Sequence, residues 1–259
     1  MLEFFLNEGT QMTSMSKIVF GTMRMCPERL DHKDWVRLIL KAQDLGVVRI
    51  HCSDEYDSYP FLIRVLEEVR RISPQIDFGF TVKLAEPHFS ETDFDAKRLL
   101  KRIDAYREAL QTDQLECVQW MWRGRLDDEG GRLRGFYDAT DRVFDVVESA
   151  KQQGVIKEFY CFPYTLEFAK QALDHPMVDG LAIYRNPLEN EYDPLLAHVL
   201  AIGKRILVIR PFKAGDAFVD FEASKLIKFS ASLPVVDGIV VSCSSILHLG
   251  ECVEAAATC

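Results

Sequence analysis

Apolar residues along the chain arrive in two rhythms. Short runs rich in Val, Ile, Phe and Leu alternate with longer stretches in which apolar positions recur every three or four residues. The first is the pattern of a buried strand, the second that of a helix with one buried face. The runs cover residues 17–23 (KIVFGTM), 47–53 (VVRIHCS), 76–84 (IDFGFTVKL), 115–122 (LECVQWMW), 156–162 (IKEFYCF), 178–184 (VDGLAIY), 205–212 (RILVIRPF) and 235–242 (VVDGIVVS). Each is followed by a helical pattern, from HKDWVRLILKAQDLG after the first to SILHLGECVEAAA after the last. Gly46, Gly154 and Gly203 stand where helices should close. The longest loop is expected over residues 123–137 (RGRLDDEGGRLRGFY).

Strands that alternate with helices specify a parallel sheet, and eight such units specify a closed α/β fold, the (β/α)8 TIM barrel. An open doubly wound sheet would need Gly-x-Gly-x-x-Gly after its first strand, and the chain has no such motif there. No linker or low-complexity tract interrupts the pattern, so residues 1–259 are expected to form a single domain.

In such a barrel the chemistry lies where strands open into loops at their C-terminal ends. The strand ends to inspect are Thr22 and Met23, His51 to Tyr56, Lys83, Met121 to Arg123, Cys161 to Tyr164, Tyr184 to Asn186, Arg210 to Lys213, and Ser242 to Ser245. Lys83 is conspicuous, because a lysine inside an apolar strand is costly to bury without purpose.

Charge and cysteine usage narrow the partners. A formal net charge of -9 disfavours nucleic acid and anionic membrane surfaces, which are bound by clustered Lys and Arg. A small metabolite met by local positive charge fits better. No apolar run approaches the roughly 20 residues of a membrane span, and the first residues lack the basic-then-apolar order of a secretory signal, so a cytoplasmic protein is expected. Cys26, Cys52, Cys117, Cys161, Cys243, Cys252 and Cys259 are scattered and never spaced as Cys-x-x-Cys, which indicates neither a disulfide framework nor a metal site.

Several segments together resemble the aldo-keto reductase family. LEFFLNEGTQMTSMSKIVFGTMRM is similar to its N-terminal hairpin, which closes the barrel bottom, running into a first strand. GVVRIHCSDEYDSY resembles the strand 2 signature apolar-Asp-Thr-Ala-x-x-Tyr, and FTVKL the strand that carries the family's lysine. QGVIKEFYCFPY, LAIYRNPLE, VIRPFKAG and VVSCSSILHLGECV resemble, in order, the strand 5, 6, 7 and 8 motifs that hold the cofactor.

The resemblance implies reduction of a small carbonyl compound with NADP(H) or NAD(H). Tyr56 then matches the proton donor and Lys83 the ammonium that assists it. His51 occupies the family's aspartate position, and the family's histidine position falls on Met121 or Trp122. A histidine at the aspartate position removes the anion that would favour a charged Lys83, so proton donation by Tyr56 is weaker unless His51 itself takes over as the acid, with its ordinary pKa near 6.5. Trp122, through its indole N–H, and Arg123 are the expected substrate contacts.

Thr22, Arg210, Lys213, Gly215, Ser242, Ser244 and Ser245 are the expected cofactor contacts, with phosphate met by cations and helix N–H groups. The family's nicotinamide-binding Ser, Asn and Gln fall on Phe162, Pro163 and about Ala182, and its adenosine-side basic residue and Asn near His248 and Cys252. The few residues after Cys252 suggest a short rim, open or closed by another copy in a homo-oligomer. Two other readings stay open: an acid-base lyase or isomerase using His51, Tyr56 and Lys83 with Arg123, Arg185 or Arg210 as anion clamps, and a non-catalytic binding protein on the same fold.

Overall fold

The computed structural model describes residues 15–125 and 127–259. Its strands are β1 (Ile18–Gly21), β2 (Arg49–Cys52), β3 (Gly79–Ala85), β4 (Leu115–Met121), β5 (Ile156–Phe162), β6 (Gly180–Tyr184), β7 (Arg205–Ile209) and β8 (Val236–Val241). All pair in parallel, and β8 returns beside β1 to close the barrel. Helices α1 (His32–Asp44), α2 (Tyr59–Ile72), α3 (Ala96–Leu110), α4 (Glu129–Gln152), α5 (Leu166–Leu173), α6 (Leu196–Ala201), α7 (Ala223–Ala231) and α8 (Ile246–Ala257) follow the strands in turn. The expected TIM barrel is therefore the observed fold. The N-terminal hairpin expected at the barrel bottom falls mainly on residues 1–14, outside the described residues. Among the described residues no helix is long and apolar enough to cross a membrane.

Strand parity sorts β4. Cys117 and Met121 pack with groups inside the barrel, whereas Val118 and Trp120 join the layer between strands and helices. Trp122 follows the outward parity and meets Trp120 edge-on at 6.0 Å, next to a stacked Phe136–Phe168 pair at 4.5 Å.

That aromatic layer explains why the expected loop over residues 123–137 is helical from Glu129 onward. Asp128 caps α4 by accepting from the Gly131 N–H at 2.7 Å, which offsets the poor helix propensity of the neighbouring glycines. Gly135 is needed for contact rather than flexibility: a Cβ there would stand 3.1 Å from the Trp122 ring. Phe136 then drops fully into the core. Strand 7 is shorter than its apolar run, because Arg210 turns to φ +56 immediately after Ile209 and Pro211 cannot extend the ladder.

Beyond its last paired residue, β4 stays tied to the loop after β3. Glu86 N–H donates to the Met121 carbonyl at 3.0 Å, and Arg123 N–H donates to the Pro87 carbonyl at 2.8 Å. Glu86, fully buried, is satisfied by Arg98 at 2.8 Å and by Arg102, both from α3. This anchor fixes the two loops that carry His88, Phe89 and Arg123. Near the N-terminal strand ends, the Tyr160 hydroxyl donates to Asp237 at 2.9 Å and Arg49 donates to the Asp237 carbonyl at 2.5 Å, a polar layer on the opposite side of the barrel from the cavity described next.

Candidate active site

A cavity of about 780 Å³ opens at the C-terminal ends of the strands. Tyr56, Lys83, Gln119, Met121 and Arg123 line one end, and Arg210, Gly215, Ser242, Ser244 and His248 line the other.

Strand β2 delivers the first group. His51 is buried, and its Nε2–H donates to the Gln119 carbonyl oxygen at 2.8 Å across the barrel interior. Burial pulls its pKa down to about 4, with Lys83 also disfavouring the cation and the Gln119 bond only partly opposing. His51 is therefore neutral at pH 7. The expectation that it might act as the acid with an ordinary pKa is corrected: it is an uncharged donor committed to Gln119. That commitment orients the amide, because the oxygen turns to His51 and leaves the nitrogen's two N–H groups for the cavity.

Glu55, in the loop after β2, organises the cations. One oxygen lies 2.8 Å from Lys83 Nζ, the carboxylate meets Arg123 Nη1 at 2.9 Å, and His88 Nε2 lies 3.1 Å away. Burial raises the Glu55 pKa, but the hydrogen bond and charge of Lys83, with Arg123 and His88, outweigh it and hold the carboxyl below the usual glutamate range. The sequence reading places this acid only within the strand-end stretch His51 to Tyr56 and gives it no role of its own. The fold instead supplies through it the carboxylate partner of Lys83 that His51 lacks. Burial still draws Lys83 below the ordinary lysine range; the Glu55 bond opposes this and the Arg123 charge adds to it.

Lys83 Nζ sits 4.8 Å above the Tyr56 ring centroid. The Tyr56 hydroxyl is pushed well above the ordinary tyrosine range by burial, with Glu55 adding and Arg123 opposing. Tyr56 is thus fully protonated near neutrality. Arg123 lies over the Phe89 ring at 4.5 Å and is gripped by Glu55, so its plane is fixed.

At the other end, Arg210 rests over Tyr184 at 4.6 Å and approaches Glu189 at 3.4 Å. Arg24 and Arg29, from the loop after β1, also line the cavity, and Arg24 donates to the Ala214 carbonyl at 2.6 Å. Gly215 adopts φ +113, and a Cβ there would meet nothing within 4 Å, so its backbone is open to close approach. At Gly21 the opposite holds: a Cβ would lie 2.6 Å from Ser242 Oγ, so only glycine lets β1 and the end of β8 meet.

The expected site residues divide accordingly. His51, Tyr56, Lys83, Arg123, Arg210, Gly215, Ser242 and Ser244 share the cavity. Thr22 does not line it; its hydroxyl donates to the His51 carbonyl at 3.1 Å and braces β1 against β2. Trp122 is almost wholly buried in the aromatic layer, and Met121 is the residue of that pair which faces the cavity. Its indole N–H is therefore not available to a molecule in the cavity. Lys213 lies outside the lining, and Ser245 caps α8 by accepting from the His248 N–H. Gln119, Arg24 and Arg29 were likewise not singled out from sequence, although Gln119 shares inward parity with Met121. Among the described residues no cluster of three His, Cys, Asp or Glu side chains could hold a metal ion.

A parallel barrel with a cationic cavity at its strand ends and a Tyr–Lys pair inside it has the layout of a barrel enzyme. The aldo/keto reductase family model matches residues 17–222, and the chain belongs to that family. Similar solved structures include a protein of Pseudomonas aeruginosa described as an aldo-keto reductase, 22% identical with a TM-score of 0.73 over 94% of this chain and 90% of that one. An aldo-keto reductase from Bacillus halodurans in its holo form is 16% identical, with a TM-score of 0.71 over 93% of this chain and 86% of its own. One from Klebsiella pneumoniae, in complex with NADPH, is 14% identical, with a TM-score of 0.70 over 94% and 86%. No curated protein matches the sequence.

Proposed function

We propose that this protein reduces a small carbonyl compound with NADPH or NADH, Tyr56 donating the proton. The observation that carries this reading is the continuity of one cavity from Tyr56 and Lys83 to Arg210, Ser242 and Ser244. Family membership and the NADPH complex of the Klebsiella relative point the same way.

The residues present fit such a cofactor at its phosphate end. Arg24, Arg29 and Arg210, the Ser242 and Ser244 hydroxyls and the open Gly215 backbone form a donor set suited to a pyrophosphate. Nearer Tyr56, Phe162 and Ile209 offer apolar surface to a flat ring. The nicotinamide amide would find none of the family's usual partners at Phe162, Pro163 or Ala182, so affinity rests on the phosphate end. When bound, the dihydronicotinamide supplies a hydride to the carbonyl carbon.

The chain's own residues handle the oxygen. Gln119, turned by His51, presents an amide N–H to the carbonyl oxygen and so polarises it. Tyr56, kept protonated by its surroundings, passes its hydroxyl proton to that oxygen as negative charge develops. Lys83, across the Tyr56 ring, and Arg123 stabilise the tyrosinate left behind until solvent restores its proton. His51 is a positioning residue in this scheme.

Titration of the protein with NADPH and with NADH, followed by nucleotide fluorescence, tests the proposal. No binding of either at roughly millimolar concentration, about -4 kcal/mol, would sink it in favour of a non-redox or binding role.

A further inference from the structure

We infer that the carbonyl substrate carries a carboxylate, held by Arg123 and Lys83 beside Tyr56. The inference rests on the reductase reading and names its substrate class.

A chain with formal net charge -9 gathers Arg24, Arg29, Lys83, Arg123 and Arg210 around one cavity, and among the described residues that line it Glu251 is the lone acid. Phosphate groups account for Arg24, Arg29 and Arg210 at one end. They do not account for Lys83 and Arg123 at the other, where stabilising the Tyr56 oxygen calls for one such cation rather than two.

These two cations are mostly shielded from water, each 14% exposed, and share one carboxylate, Glu55. Asp54 acts on Lys83 only at longer range, so the two cations are only partly compensated in a confined space, and an anionic ligand would offset that cost.

Spare donors face the same region. Arg123 engages both Glu55 oxygens through Nη1 alone, at 3.0 and 2.9 Å. A guanidinium has five N–H groups in one plane, so most of them remain for a ligand. Lys83 gives one bond to Glu55 and retains donors above Tyr56. The stack on Phe89 and the grip of Glu55 hold the Arg123 fork in place before any ligand arrives, so little ordering remains on binding. The opposite wall is apolar: Met121 and Phe162 pack together, and Phe162 meets Tyr184 at 5.4 Å. A compact, flat carbonyl acid matches this combination of fixed cations and aromatic wall.

Calorimetry on the nucleotide-free protein tests the site directly, with benzoate and benzamide as probes of equal shape. A charge-assisted hydrogen bond of this kind corresponds to about a 10- to 100-fold preference for benzoate. Arg123→Met should abolish that preference, and Arg123→Lys, which keeps the charge without the fork, should retain part of it. Equal affinity for the two probes, benzoate binding in Arg123→Met as tight as in the unmodified protein, or loss of benzoate in Arg210→Met instead, would each overturn the inference. With NADPH, 4-carboxybenzaldehyde should then exceed its neutral amide analogue in kcat/KM, mostly through KM. If benzoate binds as stated and neither aldehyde is turned over, the carboxylate site stands and the reductase reading fails.

Discussion

Glu55 meets Lys83 at 2.8 Å from a loop, although the strand position that would ordinarily carry the lysine's acid is occupied by His51. The pair places a negative charge beside a partly buried ammonium and leaves His51 free to serve Gln119.

Replacing Glu55 by Gln removes that charge while keeping size and hydrogen-bonding capacity. Lys83, already drawn below its usual range by burial and by Arg123, should lose its proton at still lower pH. The alkaline limb of the kcat/KM profile should therefore move to lower pH, with a loss of about 10- to 100-fold at neutrality. A Glu55→Asp protein should recover part of the loss. An unchanged profile in Glu55→Gln would remove Glu55 from the active-site account.

Tyr56→Phe should abolish carbonyl reduction, a drop of roughly 100-fold or more, while nucleotide affinity stays close to its starting value. Single-turnover rates alongside fluorescence titration separate the two effects. A fully active variant would rule out Tyr56 as the acid.

His51 makes stability depend on pH. Its folded-state pKa of about 4 lies below the ordinary 6.5, so the unfolded chain takes up the proton first as pH falls. The contribution is complete above 6.5 and is lost as pH falls through 4, about 3 kcal/mol in all. Urea unfolding at several pH values should show this decline in the unmodified protein and a flatter dependence in His51→Gln.

Glu86→Gln should destabilise by about 3 kcal/mol, because Arg98 and Arg102 would lose a fully buried carboxylate partner. Since Glu86 also ties the loop after β3 to β4, the variant should loosen Arg123. Thermal unfolding measures the first effect and benzoate affinity the second.

Gly21→Ala is expected to cost about 1–3 kcal/mol through overpacking against Ser242 and Val240. Thermal unfolding within error of the parent would show that β1 and β8 can separate at no cost.

The barrel was legible because each strand and helix carries its own period, and an eightfold alternation admits few closures. The positions of Tyr56, Lys83 and Arg123 followed from lying at strand ends. Trp122 was misplaced because the two candidates for one position, Met121 and Trp122, differ only in parity, which the sequence fixes no better than the strand's end. Gln119 escaped notice because an amide in an apolar strand looks unremarkable until a histidine from another strand is found beside it. Glu55 could not be assigned from local pattern: an acid just ahead of a helix has an ordinary use, and its real partner lies on the next strand. Gly130, Gly131 and Gly135, in the first turns of α4, read as a loop because the contact of Gly135 with Trp122 is tertiary.

The Lys83 partner also bears on how such proteins are compared. A carboxylate supplied by the loop after a strand, rather than by the strand itself, can keep the local field at the ammonium while leaving no strand signature by which sequences are aligned. Sorting members of this family by strand motifs alone would class the site as decayed, whereas sorting them by which acid lies within reach of the lysine would group this chain with those whose charge pair is intact.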